Sequence, residues 1–280
     1  MKSKGIRQAL GALAQRHNES LDIQEIPVQV PGLTKSLVGT RICLVADLHM
    51  PQLLPYHYHI YNAIRDARPD AIFIAGDTVD ENTRSIPALA PFFLHLSRIA
   101  PSIAILGNND CSPEYTHQLR AMYLETGVTL LENETRMLIL RGGTTRVTGL
   151  TDPFAFTLGV HRDPVVENPE RVSMQEALQP GCDDHAAHIP TLLLMHQPQM
   201  AQRYAELRPS VIFAGHAHGG QIRLPLVGGL FAPGQGIFPR YTSGLYATDG
   251  SQMVVSRGLG NHHFPLRLWN RPHIPIAILS

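Results

Sequence analysis

The sequence is poor in cysteine, has no net charge and contains no long apolar run. Its three cysteines, Cys43, Cys111 and Cys182, are odd in number and form no Cys-x-x-Cys pair, which disfavours a disulfide framework and favours a reducing, cytoplasmic compartment. Lys plus Arg and Asp plus Glu both number 23, so no overall positive field would gather a nucleic acid. No segment approaches the roughly 18 apolar residues of a membrane span, so we expect no transmembrane segment.

One domain over residues 1–280 is expected, because no composition shift or internal repeat divides the chain. Residues 1–22 are predicted to be a basic helical extension. Its apolar positions share one helical face: Ile6, Ala9, Leu10 and Leu13. The apolar run of about six residues is shorter than the roughly 7–15 residues of a secretory signal. The extension is either an ordinary docked terminus or a weak peripheral contact with an anionic inner-membrane surface.

Histidine, by contrast, is abundant, with fifteen residues, and it is the commonest metal ligand. Two of these histidines follow an apolar run of four residues, 211–214, in the sequence Gly-His-Ala-His-Gly-Gly. His216 and His218 are spaced i and i+2, so their rings lie on the same side of an extended backbone. This spacing at the end of a predicted strand is typical of a metal site, provided that other ligands converge on it.

Five predicted strands end in polar residues. The strands cover 41–46, 71–75, 102–106, 191–195 and 211–214, and the residues that follow are Asp47-x-His49, Gly76-Asp77, Gly107-Asn108-Asn109-Asp110, His196 and Gly215-His216-x-His218. Helices are predicted between the first three strands and after the third, over 56–68, 86–98 and 113–125. Alternating strands and helices indicate an α/β fold, in which ligands bind at the carboxyl ends of the strands.

The rest of the chain predicts a mixed sheet. Short strands are expected over 128–131, 136–140 and 144–148 with Gly142-Gly143 as a hairpin turn, then a helix over 164–178. Further strands are expected over 253–256, 266–268 and 274–279. Residues 224–246 are rich in Gly and Pro and are predicted to form a long loop beside the histidine pair. Its aromatic residues, Phe231, Phe238 and Tyr241, favour either a lid for an acyl or nucleobase group or simple core packing.

Taken together, the ordered strand-end motifs resemble the calcineurin-like metallophosphoesterase superfamily. The pattern of that superfamily is Asp-x-His, Gly-Asp, Gly-Asn-His-Asp/Glu, His and Gly-His-x-His. The segments Gly-His-Ala-His-Gly-Gly-Gln at 215–221 and Ser-Arg-Gly-Leu-Gly at 256–260 are similar to its bacterial phosphodiesterase-type subgroup. The resemblance implies an α/β fold with a four-layer α/β/β/α sandwich of two mixed β-sheets flanked by helices.

The resemblance also implies a dinuclear metal site. Asp47, His49 and His218 would hold one ion, Asn108, His196 and His216 the other, and Asp77 would bridge them. Imidazole and oxygen ligands without thiolate suit Mn, Fe or Zn and do not select among them. Such a centre implies a phosphohydrolase in which a metal-activated hydroxide attacks phosphorus directly, with Asp77 as part of the catalytic apparatus. The implied partner is a small phosphate-ester substrate, with lipid-linked and nucleotide-linked esters among the candidates.

Asn109 departs from the pattern, because many members have a histidine at this position. The resemblance assigns it a catalytic and substrate-binding role, but asparagine cannot deliver a proton at neutral pH. We therefore expect either a leaving group that needs little acid assistance or another proton donor nearby. This favours the phosphodiester and pyrophosphate bonds over other esters.

Two further residues are candidates for substrate binding. Arg257 follows an apolar strand and would either meet a substrate phosphate bidentately or form a buried pair. His262 follows Gly260-Asn261 and would either reach the substrate or belong to a structural turn.

The competing function is a scaffold or binding protein that retained the fold and lost catalysis. Asn109 favours this alternative. The complete ligand set argues against it, since little else would hold such clusters of carboxylates and imidazoles at strand ends.

Overall fold

The computed structural model describes residues 20–50, 57–157, 189–224, 226–261 and 267–280. Most of the predicted N-terminal extension, the predicted helix at 164–178 and the substrate-binding candidate His262 lie outside these residues. Within them, no helix is long and apolar enough to cross a membrane.

The first of two mixed sheets contains six strands. These are β1 Asp22–Val28, β2 Arg41–Val45, β3 Ala71–Ala75, β4 Ser102–Ile105, β5 Thr129–Leu130 and β16 His273–Leu279. Their order across the sheet is β1-β16-β2-β3-β4-β5. Strands β2 to β5 are parallel, whereas β16 is antiparallel to β2. The carboxyl ends of β2, β3 and β4 therefore meet at one edge.

The second sheet also contains six strands. These are β6 Glu134–Leu140, β7 Gly143–Gly149, β8 Thr191–Leu194, β9 Val211–Ala214, β14 Gly244–Thr248 and β15 Ser251–Val255. Their order is β14-β15-β9-β8-β7-β6, with antiparallel pairs at both edges and parallel pairs between.

The turn between β6 and β7 differs from the prediction. It is formed by Arg141 and Gly142 rather than by Gly142-Gly143, because Gly143 already pairs with Leu140. Arg141 and Gly142 have φ of 49° and 82°, and positive φ at both central residues is what a two-residue type I′ hairpin requires.

Helices cover the outer face of the first sheet. They are α1 His57–Asp66, α2 Ala90–Ile99 and α3 Pro113–Thr126, and a short helix, α4, follows at Phe154–Thr157. The start of α3 has a sequence cause, since the Ser112 side chain accepts a hydrogen bond from the Tyr115 amide and Pro113 occupies the first turn. Gly127, with φ of 75°, ends the helix in the left-handed conformation.

The strand side chains alternate between two cores. In β2, Cys43 and Val45 pack with the helices, while Ile42 and Leu44 enter the core between the sheets. Strands buried on both faces read as continuous apolar runs, which is why the sequence revealed them. Burial also raises the pKa of the Cys43 thiol, which keeps it protonated and unreactive at neutral pH.

The strands of the second sheet also point their side chains alternately into two cores. Phe213 of β9 meets Phe73 of β3 edge to face at 5.0 Å between the sheets. On the other face of this sheet, Leu193 and Ile212 pack with the 3₁₀-helical segment Pro198–Leu207. The layers confirm the predicted four-layer α/β/β/α sandwich.

The segment 224–246 is more regular than the predicted loop. Two short hairpins occupy it, and its end already belongs to β14. The hairpins are β10 Arg223–Leu224 with β11 Gly228–Gly229, and β12 Phe231–Ala232 with β13 Gly236–Ile237. The prediction of a strand over 266–268 is wrong at Leu268, because this residue forms only an isolated β-bridge to Ile222. Short pairings of this kind depend on distant partners and have no local sequence signal.

His273, at the start of β16, predicts a pH dependence of stability. Its side chain is buried, with Nδ1 3.3 Å from the Arg257 amide nitrogen and Nε2 3.1 Å from Gln24 Oε1. Burial, assisted by the positive charge of Arg257, lowers the pKa of His273 to about 2. The unfolded chain therefore binds the extra proton below a pKa of about 6.5 while the folded chain does not, so this group destabilises the fold as the pH falls through that window.

We expect His273 to cost the folded state about 1.4 kcal/mol per pH unit below pH 6.5. Urea unfolding of the wild type and of His273→Gln at about pH 7 and pH 5 measures this. The free energy of unfolding should fall less for the variant over that interval. Equal losses in the two proteins would contradict the assignment.

Candidate metal centre

Five of the predicted metal ligands have a left-handed backbone. Their φ values are 51° for Asp47, 44° for His49, 53° for Asp77, 65° for His216 and 45° for His218. Residues with a side chain rarely adopt this conformation, and such strain persists where the surrounding structure enforces it, characteristically at functional sites. These residues lie just beyond the carboxyl ends of β2, β3 and β9, where the strained turns redirect the side chains.

Hydrogen bonds donated by backbone amides join these strand ends, both within the first sheet and between the two sheets. The Asp47 amide donates to the Gly76 carbonyl at 3.0 Å, and the His49 amide donates to the Asp77 carbonyl at 3.1 Å. From the second sheet, the His216 amide donates to both carboxylate oxygens of Asp47 at 3.0 Å. The main chain therefore fixes the positions of the ligand candidates independently of any ion.

The first cluster consists of Asp47, His49 and His218, all buried, with one candidate ligand atom from each within 4.8 Å of the others. Nε2 of His49 lies 3.1 Å from Nε2 of His218. The latter atom is 3.7 Å from Asp47 Oδ1. This is the set that the resemblance assigns to one ion.

The second cluster consists of Asp77, His196 and His216, equally buried. Nε2 of His196 lies 3.3 Å from Asp77 Oδ2 and 3.2 Å from His216 Nδ1. The side-chain oxygen of Asn108 is 3.1 Å from the same Nε2 atom. Asp77 Oδ2 also lies 3.9 Å from His49 Nε2, so this carboxylate stands between the two clusters.

The donor atoms fit divalent metal ions. Ligands about 2.0–2.2 Å from a common ion are separated from one another by roughly 3–3.5 Å, and the nitrogen–nitrogen distances of 3.1 and 3.2 Å fall in this range. Imidazole nitrogens and carboxylate oxygens without thiolate suit first-row ions such as Mn, Fe and Zn. The two clusters together match the predicted dinuclear centre, with no basis for selecting a metal.

The pKa shifts at the site also indicate that its buried carboxylates require nearby positive charge. Burial, partly opposed by His196, raises the pKa of Asp47 to about 7. Burial would also raise the pKa of Asp77, but the charges of His196 and its neighbours outweigh it and hold that pKa well below its usual range. In turn, the Asp77 carboxylate outweighs burial and raises the pKa of His196 to about 10. Bound cations would supply the charge that protons supply here.

Glycines in the motifs allow the strand ends to approach this closely. A Cβ atom on Gly107 would lie 2.3 Å from Asp77 Oδ1, and one on Gly215 would lie 2.8 Å from Asp47 Oδ2. Both glycines are therefore required by contact with a ligand side chain rather than by turn formation alone.

The segment 257–261 closes the first cluster from the other side. The Leu259 amide donates to the Ala46 carbonyl at 3.1 Å, and the Gly260 amide donates to the Asp47 carbonyl at 2.7 Å. Gly258 has φ of 71°, and a Cβ atom there would lie 2.7 Å from Asp47 Cβ.

We expect Gly258→Ala to weaken both folding and metal binding. The left-handed backbone costs an alanine about 1–2 kcal/mol, and displacement of Asp47 adds about 1–3 kcal/mol. Gly250→Ala is the matched control, because Gly250 has φ of 77° and no atom within 4 Å of its Cβ position. Urea unfolding and Mn²⁺ titration of both variants measure the difference. Equal effects in the two variants would contradict a contact with Asp47.

Asn109 contacts Asp77 through two hydrogen bonds. Its backbone amide donates to Asp77 Oδ1 at 2.9 Å, and its side-chain amide donates to Oδ2 at 2.7 Å. Asn109 therefore orients the carboxylate that lies between the clusters. Its contact with substrate stays a prediction.

Three buried residues at the centre received no role from the sequence. Asp110 accepts hydrogen bonds from the amides of Thr78, Val79 and Gly107 and so fixes the turns that carry Asp77 and Asn108. Asp152 accepts a hydrogen bond from Gln197, next to His196, at 2.8 Å. Arg267 lies 3.5 Å from His218 Nδ1. Asp110 is the last residue of the strand-end motif Gly107-Asn108-Asn109-Asp110, and Arg267 is the single charge in an apolar stretch. The sequence therefore contained an indication of a role for both residues.

Arg257 forms a partly buried ion pair, which is one of the two roles predicted for it. Its guanidinium forms an ion pair with Asp22 and donates to the Arg271 carbonyl. Contact of Arg257 with substrate stays a prediction.

Comparison with known proteins places the chain in a family. The model of the calcineurin-like phosphoesterase family matches residues 40–220, and the chain belongs to this family. The match contains all seven predicted ligands.

Relatives of similar length include an uncharacterised metallophosphoesterase, YkuE, from Bacillus subtilis, 27% identical over 86% of this chain and 79% of the relative. Phosphodiesterase YaeI from Escherichia coli is 28% identical over 85% of this chain and 82% of its own. Among solved structures, TT1561 of Thermus thermophilus has a TM-score of 0.50 and 16% identity, covering 79% of this chain and 90% of that one. This last similarity supports the fold alone. The chain thus contains a metallophosphoesterase domain with two buried Asp/His clusters.

Proposed function

We propose that the protein is a dinuclear metal-dependent phosphohydrolase that cleaves a phosphodiester or pyrophosphate bond. The observation that carries this proposal is the pair of buried Asp/His clusters with the Asp77 carboxylate between them. Asp47, His49 and His218 would hold one ion, Asn108, His196 and His216 the other, and Asp77 both. Such ions supply an activated water at neutral pH and neutralise charge on the phosphoryl oxygens.

The chain's own residues set the geometry of this chemistry. The Asp47 carboxylate is held by the His216 amide, so a ligand of one cluster is positioned by a residue of the other. Asn109 holds both oxygens of Asp77 and so fixes the direction of the carboxylate between the clusters. Rigid placement of ligands in a buried site makes the centre ready for the transition state without reorganisation.

The choice of bond rests on Asn109. The side-chain amide donates hydrogen bonds but has no proton to give to a departing alkoxide. A phosphate or an aryl alcohol leaves without such help, which favours pyrophosphates and activated diesters. The name of the relative YaeI, a phosphodiesterase, agrees with this choice.

We expect Asn109→His to reduce the dependence of the rate on the leaving group. A histidine would protonate a poor leaving oxygen and raise the hydrolysis of alkyl diesters about tenfold to a hundredfold relative to aryl diesters. The measurement is kcat/KM for a series of diesters that differ in leaving-group pKa. Asn109→Ala serves as the control, since it removes the donor to Asp77 without adding an acid. If kcat/KM of the histidine variant depended on leaving-group pKa as steeply as that of the wild type, the result would contradict this role of Asn109.

Reconstitution of the metal-free protein tests the function itself. The protein should hydrolyse bis-p-nitrophenyl phosphate faster than p-nitrophenyl phosphate after addition of Mn²⁺, Fe²⁺ or Zn²⁺, with about two ions bound per chain. Absence of activity with every metal, together with absence of bound metal, would instead favour the scaffold alternative. The cytoplasmic location and the single-domain boundary stay predictions.

A further inference from the structure

Exposed apolar side chains are concentrated in the part of the chain that follows the metal-ligand candidate His218. Among the described residues, eight of the sixteen exposed large apolar side chains lie in 224–245 or at position 269. Six of them form what we call the apolar hairpin surface: Leu226, Val227, Phe231, Ile237, Phe238 and Trp269. Leu226 is fully exposed, and Ile237 is 73% exposed. Exposed apolar groups at this density mark an interaction site rather than ordinary surface.

Hydrogen bonds hold this surface in place. The Leu230 amide donates to the Gly220 carbonyl at 3.1 Å, which attaches the hairpins to the turn that follows His218. Phe231 and Ile237 are directly opposite in the β12–β13 pair, so their side chains lie on the same face. The Arg223 amide donates to the Leu268 carbonyl at 3.1 Å and brings the following tryptophan to the base of the first hairpin.

The charges of this part of the chain are strongly one-sided. Residues 207–280 contain six arginines, no lysine and a single acidic residue, Asp249, although the whole chain is neutral. Arg257 is paired and Arg267 is buried, whereas Arg240 and Arg271 are exposed. A second copy of this chain would bring the same exposed Arg240 and Arg271 to the contact. An anionic partner fits better.

The N-terminal sequence has the same character. Residues 1–19 contain four basic residues and one acidic residue. They lead into Ser20 and Leu21, whose carbonyls accept hydrogen bonds from Arg271. The basic sequence therefore joins the described fold two residues from the tryptophan of the apolar hairpin surface.

We propose that the apolar hairpin surface docks on an anionic lipid bilayer. Exposed aliphatic and aromatic tips with adjacent arginines are the composition of proteins that enter the headgroup boundary without spanning the membrane. Leu226, Ile237 and Phe238 enter the boundary, and Arg240 and Arg271 meet the anionic headgroups. This proposal concerns binding alone and does not depend on the proposed hydrolysis.

Sedimentation with lipid vesicles tests the proposal on the full-length protein. We expect binding to vesicles of mixed phosphatidylcholine and phosphatidylglycerol and little binding to phosphatidylcholine alone. The double variant Leu226→Ser/Ile237→Ser should bind the anionic vesicles at least about tenfold more weakly. The matched control is Leu124→Ser/Ile139→Ser, which changes the same residue types at 82% and 71% exposure on α3 and β6. It should bind like the wild type.

Three results would overturn the proposal. The first is no vesicle binding by the wild type, and the second is an equal loss in both double variants. The third is a dimer in sedimentation velocity that the hairpin variant abolishes while vesicles remain unbound, which would assign the surface to contact between copies. Circular dichroism confirms that all three proteins are folded, and because every substituted side chain is exposed, we expect folded variants.

Discussion

Asp77→Asn is expected to abolish hydrolysis while leaving the fold intact. The carboxylate of Asp77 lies 3.3 Å from His196 and 3.9 Å from His49, so it is within reach of histidines from both clusters. An asparagine preserves the shape and one acceptor oxygen but removes the charge that both ions would share. We expect the rate to fall about a thousandfold or more and the bound metal to fall below two ions per chain.

Thermal unfolding separates loss of metal from loss of folding. A ligand that binds the folded state raises its melting temperature, so Mn²⁺ should stabilise the wild type and stabilise Asp77→Asn much less. Without metal, Asp77→Asn should melt lower than the wild type, because it loses the pairing of the carboxylate with His196, so the increase caused by Mn²⁺ is compared within each protein. Asp66→Asn is the matched control, because Asp66 is an exposed carboxylate on α1 paired with Arg65. Retained activity in Asp77→Asn at full metal loading would contradict the proposed mechanism.

Arg267→Leu is expected to cause the largest loss of stability. The Arg267 side chain is 1% exposed, and burial lowers its pKa to about 10, which leaves it charged at neutral pH. It donates to the carbonyls of Arg257 and Gly260 and to the side-chain oxygen of Asn261. These acceptors belong to the segment that closes the cluster around Asp47. Leucine removes the donor from these buried and half-buried acceptors, at a cost of about 3–5 kcal/mol.

Metal affinity distinguishes a positioning role from a purely structural one. If Arg267 holds the closing segment against Asp47, Arg267→Lys should restore part of the stability but not the affinity for the ion of the first cluster, because a lysine cannot reach all three acceptors. Arg98→Leu, on the exposed face of α2, is the control and should change neither quantity. A loss of stability with unchanged metal binding would make Arg267 structural only.

Much of the fold was readable from local patterns. Five strands that run into polar residues were predicted within about a residue, because strands buried on both faces are continuously apolar. The ends of α3 followed from Ser112, Pro113 and Gly127, whose effects act within one turn. The two short hairpins β10–β11 and β12–β13 were not readable, since two-residue strands have no period to detect.

For the site as well, some features could be predicted from the sequence and others required the structure. Sequence order placed the candidate ligands at strand ends, and parallel strands bring such ends together. The partner of Arg257 could not be read from the sequence, because Asp22 lies 235 positions away. Arg267 gave a signal as a lone charge among apolar residues, but its acceptors are carbonyls, which every sequence contains.

The sequence by itself determined which residue types lie at the strand ends and in which order, because ligand chemistry and strand period are local properties. Only the tertiary structure decided how they are grouped. It placed Asp77 between two clusters, aimed the Asn109 amide at it and enforced the left-handed turns at Asp47 and His49. The physical reason is that these positions depend on packing between two sheets and on close glycine contacts across them, which no single segment specifies.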